Sequence, residues 1–239
     1  REIPSFTNAL FETISGFTTT GASILSDVEA LSKCMLFWRS FTHWLGGMGV
    51  LVFVMAILPS SSDRSIHLMR AEVPGPVVGK LVPKIKETAK ILYLIYMVMT
   101  FIEVILLLCG GMPLFDSLVH SFGTAGTGGF GIKADSIGGY SSYCQWVITV
   151  FMLLFGINFN LFYLCLIRRF KSVLKSEELW VYLGIILAAA TIITVNIMPI
   201  YNSLSQSIRL SAFQVASIIT TTGYATADFN TWPVLSKGI

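Results

Sequence analysis

The chain of 239 residues is too apolar for an ordinary water-soluble domain, because 54% of its residues are hydrophobic and only 12% are charged, about half the charged fraction usual in such domains. Its mean hydropathy of +0.74 indicates an integral membrane protein in contact with lipid. The formal net charge of +3 is too small and too scattered to indicate nucleic acid as a partner.

A short tract rich in Thr and Gly occurs three times, each time after a segment that predicts a short amphipathic helix. The helical segments are 7–15, 116–122 and 210–219. Thr favours extended backbone and Gly destabilises helices, so each tract is expected to end its helix. The tracts consist of Thr18, Thr19, Thr20 and Gly21; of Gly126, Thr127, Gly128 and Gly129; and of Thr220, Thr221, Thr222 and Gly223.

The recurrence of these tracts predicts an ion filter. A single copy is more typical of a turn at the end of a helix than of a filter. Irregular backbone at membrane depth, however, is tolerated only where protein encloses it or where it lines a cavity. Three copies therefore predict re-entrant loops around one axis, with carbonyl and hydroxyl oxygens replacing the hydration shell of K⁺. The second tract has a single Thr, which predicts an asymmetric filter with weaker discrimination between K⁺ and Na⁺.

Four apolar segments are long enough to cross a bilayer: 34–58, 91–110, 144–167 and 179–200. Two short connections between them contain ten of the sixteen basic residues. The positive-inside rule makes both connections cytoplasmic, so the three tracts enter from the outer face. The basic residues are Arg64, Arg70, Lys80, Lys84, Lys86 and Lys90 in the first connection, and Arg168, Arg169, Lys171 and Lys175 in the second.

Polar residues inside the spans usually face other protein groups. For Glu103 we expect a structural partner such as Arg39, with a proton or ion relay as the alternative. Asn158 and Asn160 either line a vestibule below the filter or form hydrogen bonds between helices. The first basic connection is either a docking surface for a cytoplasmic regulator or a solvated loop that sets topology.

The remaining polar residues show no pattern typical of an enzyme or of a covalently bound cofactor. The four cysteines lack metal-ligand spacing and are expected to be small buried hydrophobes: Cys34, Cys109, Cys144 and Cys165.

In combination, several motifs resemble those of the TrkH/TrkG family of potassium-uptake proteins, within the Trk/Ktr/HKT superfamily. The motifs are FTNALFE (6–12), TTTGA (18–22), FWRS (37–40), WLGGMG (44–49), MRAE (69–72), PGP (74–76), TGGF (127–130), GINFN (156–160) and TTTGYATADF (220–229). The resemblance implies four pore-loop repeats, each distantly like a potassium-channel subunit, with Gly21, Gly129 and Gly223 as the selectivity positions. It also implies a homodimer of full-length chains in the bacterial cytoplasmic membrane, gated by a cytoplasmic TrkA-like nucleotide-binding regulator.

These observations predict an all-α membrane protein of repeated helix, pore loop, helix units, truncated at both ends and lacking the fourth repeat. Residues 1–62 would hold the pore helix, filter loop and inner helix of repeat 1. Residues 63–168 would form a complete repeat 2, and 169–239 the outer helix and pore loop of repeat 3. The expected function is potassium uptake; the alternatives are a Na⁺-permeable or ion-coupled transporter and a truncated polypeptide with only an interaction role.

Overall fold

The computed structural model describes residues 2–3, 5–49 and 85–238, and all regular elements within these ranges are helical. The described ranges do not include residues 50–58 of the first predicted span or most of the first basic connection. They also do not include the predicted boundary between residues 62 and 63. The elements are α1 (Phe6–Phe17), α2 (Lys33–Gly47), α3 (Ile85–Cys109), α4 (Leu114–Ala125), α5 (Ser142–Phe155), α6 (Phe159–Leu166), α7 (Phe170–Leu174), α8 (Glu177–Tyr201), α9 (Leu204–Ile219), a 3₁₀ turn (Phe229–Thr231) and α10 (Val234–Gly238).

Among the residues that the structure describes, two helices are long and apolar enough to cross a membrane on their own. They are α3, over Ala89–Cys109, and α8, in which a stretch of 18 residues has a mean hydropathy of 2.5 and 2.2, respectively. Large apolar side chains remain exposed along both helices, among them Phe101 and Leu187. An apolar surface of this kind is stable against lipid rather than water.

The segment predicted as one span over 144–167 is bent. Helices α5 and α6 meet at 90°, with a break between Phe155 and Phe159. At the break, the Asn158 side chain accepts a hydrogen bond from the Asn160 amide (3.0 Å) and so caps the start of α6. A short Asx side chain offers this local bond where a continuous helix would otherwise run, which explains why the helix stops here.

The three short helices lie where the amphipathic segments predicted them: α1 packs on α2, α4 packs on α2, α3 and α5, and α9 packs on α5 and α8. One apolar cluster joins α3, α4, α5 and α9, and Tyr96, Ile148 and Phe213 are almost completely buried in it. The all-helical membrane class is thus confirmed, and the core holds α4 and α9 with their C-terminal ends beside the Thr/Gly tracts.

Candidate ion filter

All three tracts share one backbone conformation. Each begins with a residue that ends its helix, followed by a left-handed threonine, with φ of 54° at Thr19, 51° at Thr127 and 59° at Thr221. Left-handed backbone is unfavourable for a β-branched residue and persists only where its surroundings impose it. Its recurrence at the same position of each tract therefore marks one structural motif used three times.

A left-handed glycine occupies the fourth position of each tract. The φ angle is 73° at Gly21, 70° at Gly129 and 84° at Gly223. Glycine adopts this conformation without the steric penalty of a Cβ. The match in backbone extends to the second tract, although its sequence differs most from the other two.

The amides of the tracts bond back to the preceding helices. The third-position amide donates to a carbonyl five residues earlier, a bond typical of a Schellman C-cap. These bonds run from Thr20 to Ser15 (3.0 Å), from Gly128 to Gly123 (3.0 Å) and from Thr222 to Ser217 (2.9 Å). Among the described residues, only one tract carbonyl accepts a hydrogen bond: that of Thr220, from the Thr221 hydroxyl (2.6 Å). The other carbonyl oxygens remain available to a cation.

The first and third tracts also match in their side chains. The Thr18 hydroxyl donates to the Ile14 carbonyl (2.7 Å), so its bond with the Thr20 hydroxyl (2.8 Å) must use the proton of Thr20. Thr220 and Thr222 repeat this arrangement. Thr20 and Thr222 thus donate their hydroxyl protons to Thr18 and Thr220, and their own hydroxyl oxygens keep lone pairs that can accept another bond.

The three tracts lie side by side. A Cβ on Gly21 would overlap the Gly128 carbonyl oxygen, and one on Gly129 would overlap the Thr222 carbonyl oxygen. In both cases the neighbouring atom belongs to the residue that precedes the left-handed glycine of the next tract. The tracts therefore follow one another at a common level, in chain order. No described atom lies within 4 Å of the corresponding position at Gly223.

A cavity of about 210 Å³ lies at the helix ends that precede the second and third tracts. Ala125 and Ile219, the last residues of α4 and α9, line it, and the negative ends of these helix dipoles favour a cation there. Asn158 and Asn160 are not among the described residues that line it. The side-chain amide of Asn158 instead donates to the Glu178 carboxylate on α8 (3.3 Å). This bond favours the alternative in which Asn158 forms hydrogen bonds between helices.

The predicted pair of Arg39 and Glu103 is wrong, because Arg39 pairs with Glu12. The Arg39 Nε lies 3.0 Å from a Glu12 carboxylate oxygen, and both side chains are buried. The other oxygen of Glu12 accepts hydrogen bonds from the Ser23 hydroxyl (2.8 Å) and the Ile24 amide (2.7 Å). The ion pair thus fixes the chain just beyond the first tract. In the sequence, the signal for this partner was Glu12 itself, the one charged residue of the first amphipathic helix.

Glu103 lies on α3, buried beside Thr124 of α4. The Thr124 hydroxyl donates its proton to the His120 carbonyl (2.8 Å), so it has none to give Glu103. Neither oxygen of Glu103 has a hydrogen-bond partner among the described residues. A carboxylate without an ion pair is costly in such surroundings, which favours a neutral side chain.

Two aromatic contacts behind the second tract were not predicted. The His43 ring stacks on Phe130 with centroids 4.0 Å apart, and it fills the space that a Cβ on Gly128 would need. The Arg39 guanidinium lies 4.0 Å from the centre of the same Phe130 ring, a cation–π distance. Residues of α2 therefore support the second tract.

Beside α4, Tyr140 links two polar groups. Its hydroxyl donates to the Asp116 carboxylate (2.8 Å), so the contact with His120 Nε2 (3.3 Å) requires a proton on the histidine. Burial is the main reason that the pKa of Tyr140 is raised, which keeps this hydroxyl protonated at neutral pH. The link holds the linker after the second tract against α4.

Comparison with known proteins gives a consistent result. Residues 2–200 match the family model TrkH, described as a cation transport protein. The chain is 37% identical over 235 residues to the Trk system potassium uptake protein TrkH of Salmonella typhimurium, covering 96% of this chain and 49% of that protein. It is 34% identical over 233 residues to TrkG of Escherichia coli K12, covering 96% and 48%.

The structural comparison agrees. The crystal structure of the potassium transporter TrkH from Vibrio parahaemolyticus superposes with a TM-score of 0.81 at 30% sequence identity, over 98% of this chain and 48% of that one. The chain thus spans about half the length of the curated relatives it matches. Together with the two spanning helices, this makes it an integral membrane protein. The chain belongs to the TrkH family of cation transport proteins.

Proposed function

We propose that the chain contributes three of the four strands of a potassium filter in the membrane subunit of a Trk-type uptake system. The observation that carries the proposal is the contact of Gly21 with Gly128 and of Gly129 with Thr222, which sets three tracts of equal conformation side by side. The open position at Gly223 is where the same pattern would continue. The filter would comprise all twelve residues of the tracts, with K⁺ held mainly by backbone oxygens.

Ion passage in this proposal needs no chemical step. K⁺ enters from the outside, exchanges water for the free carbonyl oxygens of the tracts and moves into the cavity beside α4 and α9. The membrane potential supplies about 2.3 kcal/mol per charge for each 100 mV. The relatives are named as potassium uptake proteins, and no enzymatic role is proposed.

The repeat boundaries are part of the same proposal: 1–62, 63–168 and 169–239. The equal backbone of the three tracts supports this division. We further propose a bacterial cytoplasmic membrane location with the tracts on the outer side, a homodimer of full-length chains and a cytoplasmic TrkA-like regulator. The support is the charge of the two connections and the resemblance to Trk proteins.

One observation favours Na⁺ permeation as a second candidate. The second tract carries Gly126 and Gly128 where the third carries Thr220 and Thr222, so it lacks the paired hydroxyls of its neighbours. A less cross-linked strand holds its carbonyls less rigidly, which weakens discrimination between K⁺ and Na⁺.

The experiment that tests the proposal is uptake by the full gene product containing this chain, expressed in cells without other K⁺-uptake systems. K⁺-dependent growth and K⁺ uptake at low external K⁺ are the results expected. Uptake of Na⁺ at a rate equal to that of K⁺ would favour the second candidate. Uptake of neither ion would contradict both.

A further inference from the structure

A serine-to-carbonyl hydrogen bond closes the first and third tracts. The Ser15 hydroxyl donates to the Ala22 carbonyl (2.6 Å), and the Ser217 hydroxyl donates to the Tyr224 carbonyl (2.6 Å). Each serine lies in the last turn of its helix, and each carbonyl belongs to the residue after the selectivity glycine. The bond therefore joins the two ends of a tract and limits how far its carbonyls can move.

The second tract has no such serine. Its equivalent position is Gly123, since Gly123 accepts from the Gly128 amide as Ser15 does from Thr20. The equivalent carbonyl is that of Phe130, which follows Gly129. A Cβ on Gly123 would lie 3.4 Å from this carbonyl oxygen, so a serine there would have the carbonyl within reach.

The Tyr224 side chain of the third loop occupies this space instead. A Cβ on Gly123 would overlap the Tyr224 hydroxyl. That hydroxyl lies 3.5 Å from the Phe130 carbonyl and 3.2 Å from the His120 carbonyl. The His120 carbonyl also accepts from Thr124 (2.8 Å), and a carbonyl oxygen can accept two bonds. The Tyr224 hydroxyl therefore bridges the His120 carbonyl of α4 and the Phe130 carbonyl just beyond the second tract.

Packing holds the tyrosine in place independently of its hydroxyl. The ring is buried and lies edge-on to the His120 ring, with centroids 5.6 Å apart. The next residue, Ala225, accepts from the Ile137 amide (3.0 Å), and its own amide donates to Ser136 (3.2 Å). The third loop therefore stays docked on the second when the hydroxyl alone is removed.

We propose that Tyr224 is a positioning residue whose hydroxyl performs for the second tract, from the neighbouring loop, the task that Ser15 and Ser217 perform within their own tracts. Because the group comes from another repeat, the carbonyls beside Gly129 are held only while the third loop is in place. Selectivity at the second tract then depends on the contact between two repeats. This inference rests on the proposed function for its consequence in transport.

The test compares four forms of the full gene product: unmodified, Tyr224→Phe, Gly123→Ser, and Tyr224→Phe combined with Gly123→Ser. Uptake of K⁺ and of Na⁺, each as sole cation, is measured in proteoliposomes at equal protein amounts. Tyr182→Phe is the matched control, because it removes another tyrosine hydroxyl that donates to a backbone carbonyl (3.1 Å), in this case that of Leu153 in α5 and not one within or next to a tract.

We expect Tyr224→Phe to raise the Na⁺-to-K⁺ uptake ratio about threefold or more, the effect of losing one hydrogen bond that orders the tract. The double variant should return the ratio to within about twofold of the unmodified protein, because the introduced serine restores the bond found in the other tracts. Tyr182→Phe should leave the ratio unchanged. An unchanged ratio in Tyr224→Phe, or no recovery in the double variant, would overturn the proposal.

Melting temperatures of the same forms decide the structural part without any transport. Gly123→Ser should lower the melting temperature clearly in the unmodified protein, where it meets the Tyr224 hydroxyl, and much less in Tyr224→Phe. Equal losses in both backgrounds would overturn the inference. Absence of K⁺ uptake by the unmodified protein would instead contradict the proposed function, and the melting comparison would then decide the inference alone.

Discussion

Gly129 lies so close to the Thr222 carbonyl oxygen that a Cβ on the glycine would overlap it. The contact joins the second and third tracts at the level of their left-handed glycines. It repeats the contact of Gly21 with Gly128 one tract earlier. Three unrelated helix ends would not be expected to make two successive contacts of the same kind, whereas three tracts packed side by side in chain order would.

This packing makes Gly129 sensitive to a single methyl group. Gly129→Ala should cost about 2–5 kcal/mol of stability, from left-handed backbone and from overlap with Thr222. Gly111→Ala is the matched control, since Gly111 is also left-handed, with φ of 80°, but no described atom lies near its Cβ position. It should cost only about 1–2 kcal/mol. Unfolding of both variants in detergent measures the difference, and equal losses would show that the tracts are not in contact at Gly129.

The ion pair of Arg39 and Glu12 should be a strong stabilising contact. Arg39→Met leaves the Glu12 carboxylate buried without its cation, at a cost of about 3–5 kcal/mol. Adding Glu12→Gln should recover part of that loss, because the unpaired charge is removed. The control is Arg169→Met, at an exposed arginine, with a loss below about 0.5 kcal/mol. The free energy of unfolding is the measurement, and a loss for Arg39→Met as small as that of the control would refute a structural role for the pair.

Glu103 should tolerate replacement by its neutral isostere. Its burial without an ion pair favours a protonated side chain, so Glu103→Gln should change stability by less than about 1 kcal/mol. K⁺ uptake by this variant, measured between pH 6 and pH 9, should follow the unmodified protein. A selective loss of uptake with normal stability would instead support the relay alternative.

The first basic connection should contribute more to regulator binding than the second. Lys84→Glu with Lys86→Glu reverses two charges of the connection at 59–90 and should weaken binding of a TrkA-like regulator more than it changes K⁺ uptake. Lys171→Glu with Lys175→Glu makes the same charge change in the other connection. A pull-down compares the two pairs. Equal binding by the first pair and the unmodified protein would dismiss this surface.

The helices of the fold could be predicted well because their signals are local. Each Thr/Gly tract interrupts a helical pattern, and α1, α4 and α9 end where the tracts begin. The bend after Phe155 was missed because an apolar run shows its length but not its direction. The Asn158 cap and the break at Gly156 override the apolar continuity of the segment.

Contacts between elements were harder to predict. Arg39 and Glu12 are 27 positions apart, and only the packing of α1 on α2 selects Glu12 over Glu103 as the partner of Arg39. The role of Tyr224 depends on a missing side chain at Gly123, a feature that becomes meaningful only when two loops are seen side by side. Such pairings depend on tertiary distance, which periodicity and motif spacing do not contain.

The most direct test of the account is the cation preference of the full gene product before and after Gly223→Ser. Among the described residues this glycine has open space at its Cβ position, while its φ of 84° is unfavourable for any other residue. The substitution should therefore disturb carbonyl alignment while the contacts of the other tracts remain. With K⁺ or Na⁺ as sole cation, the account predicts a preference for K⁺ in the unmodified protein and a clear fall of that preference in the variant. The same preference in both proteins would contradict the assignment of these tracts as the filter.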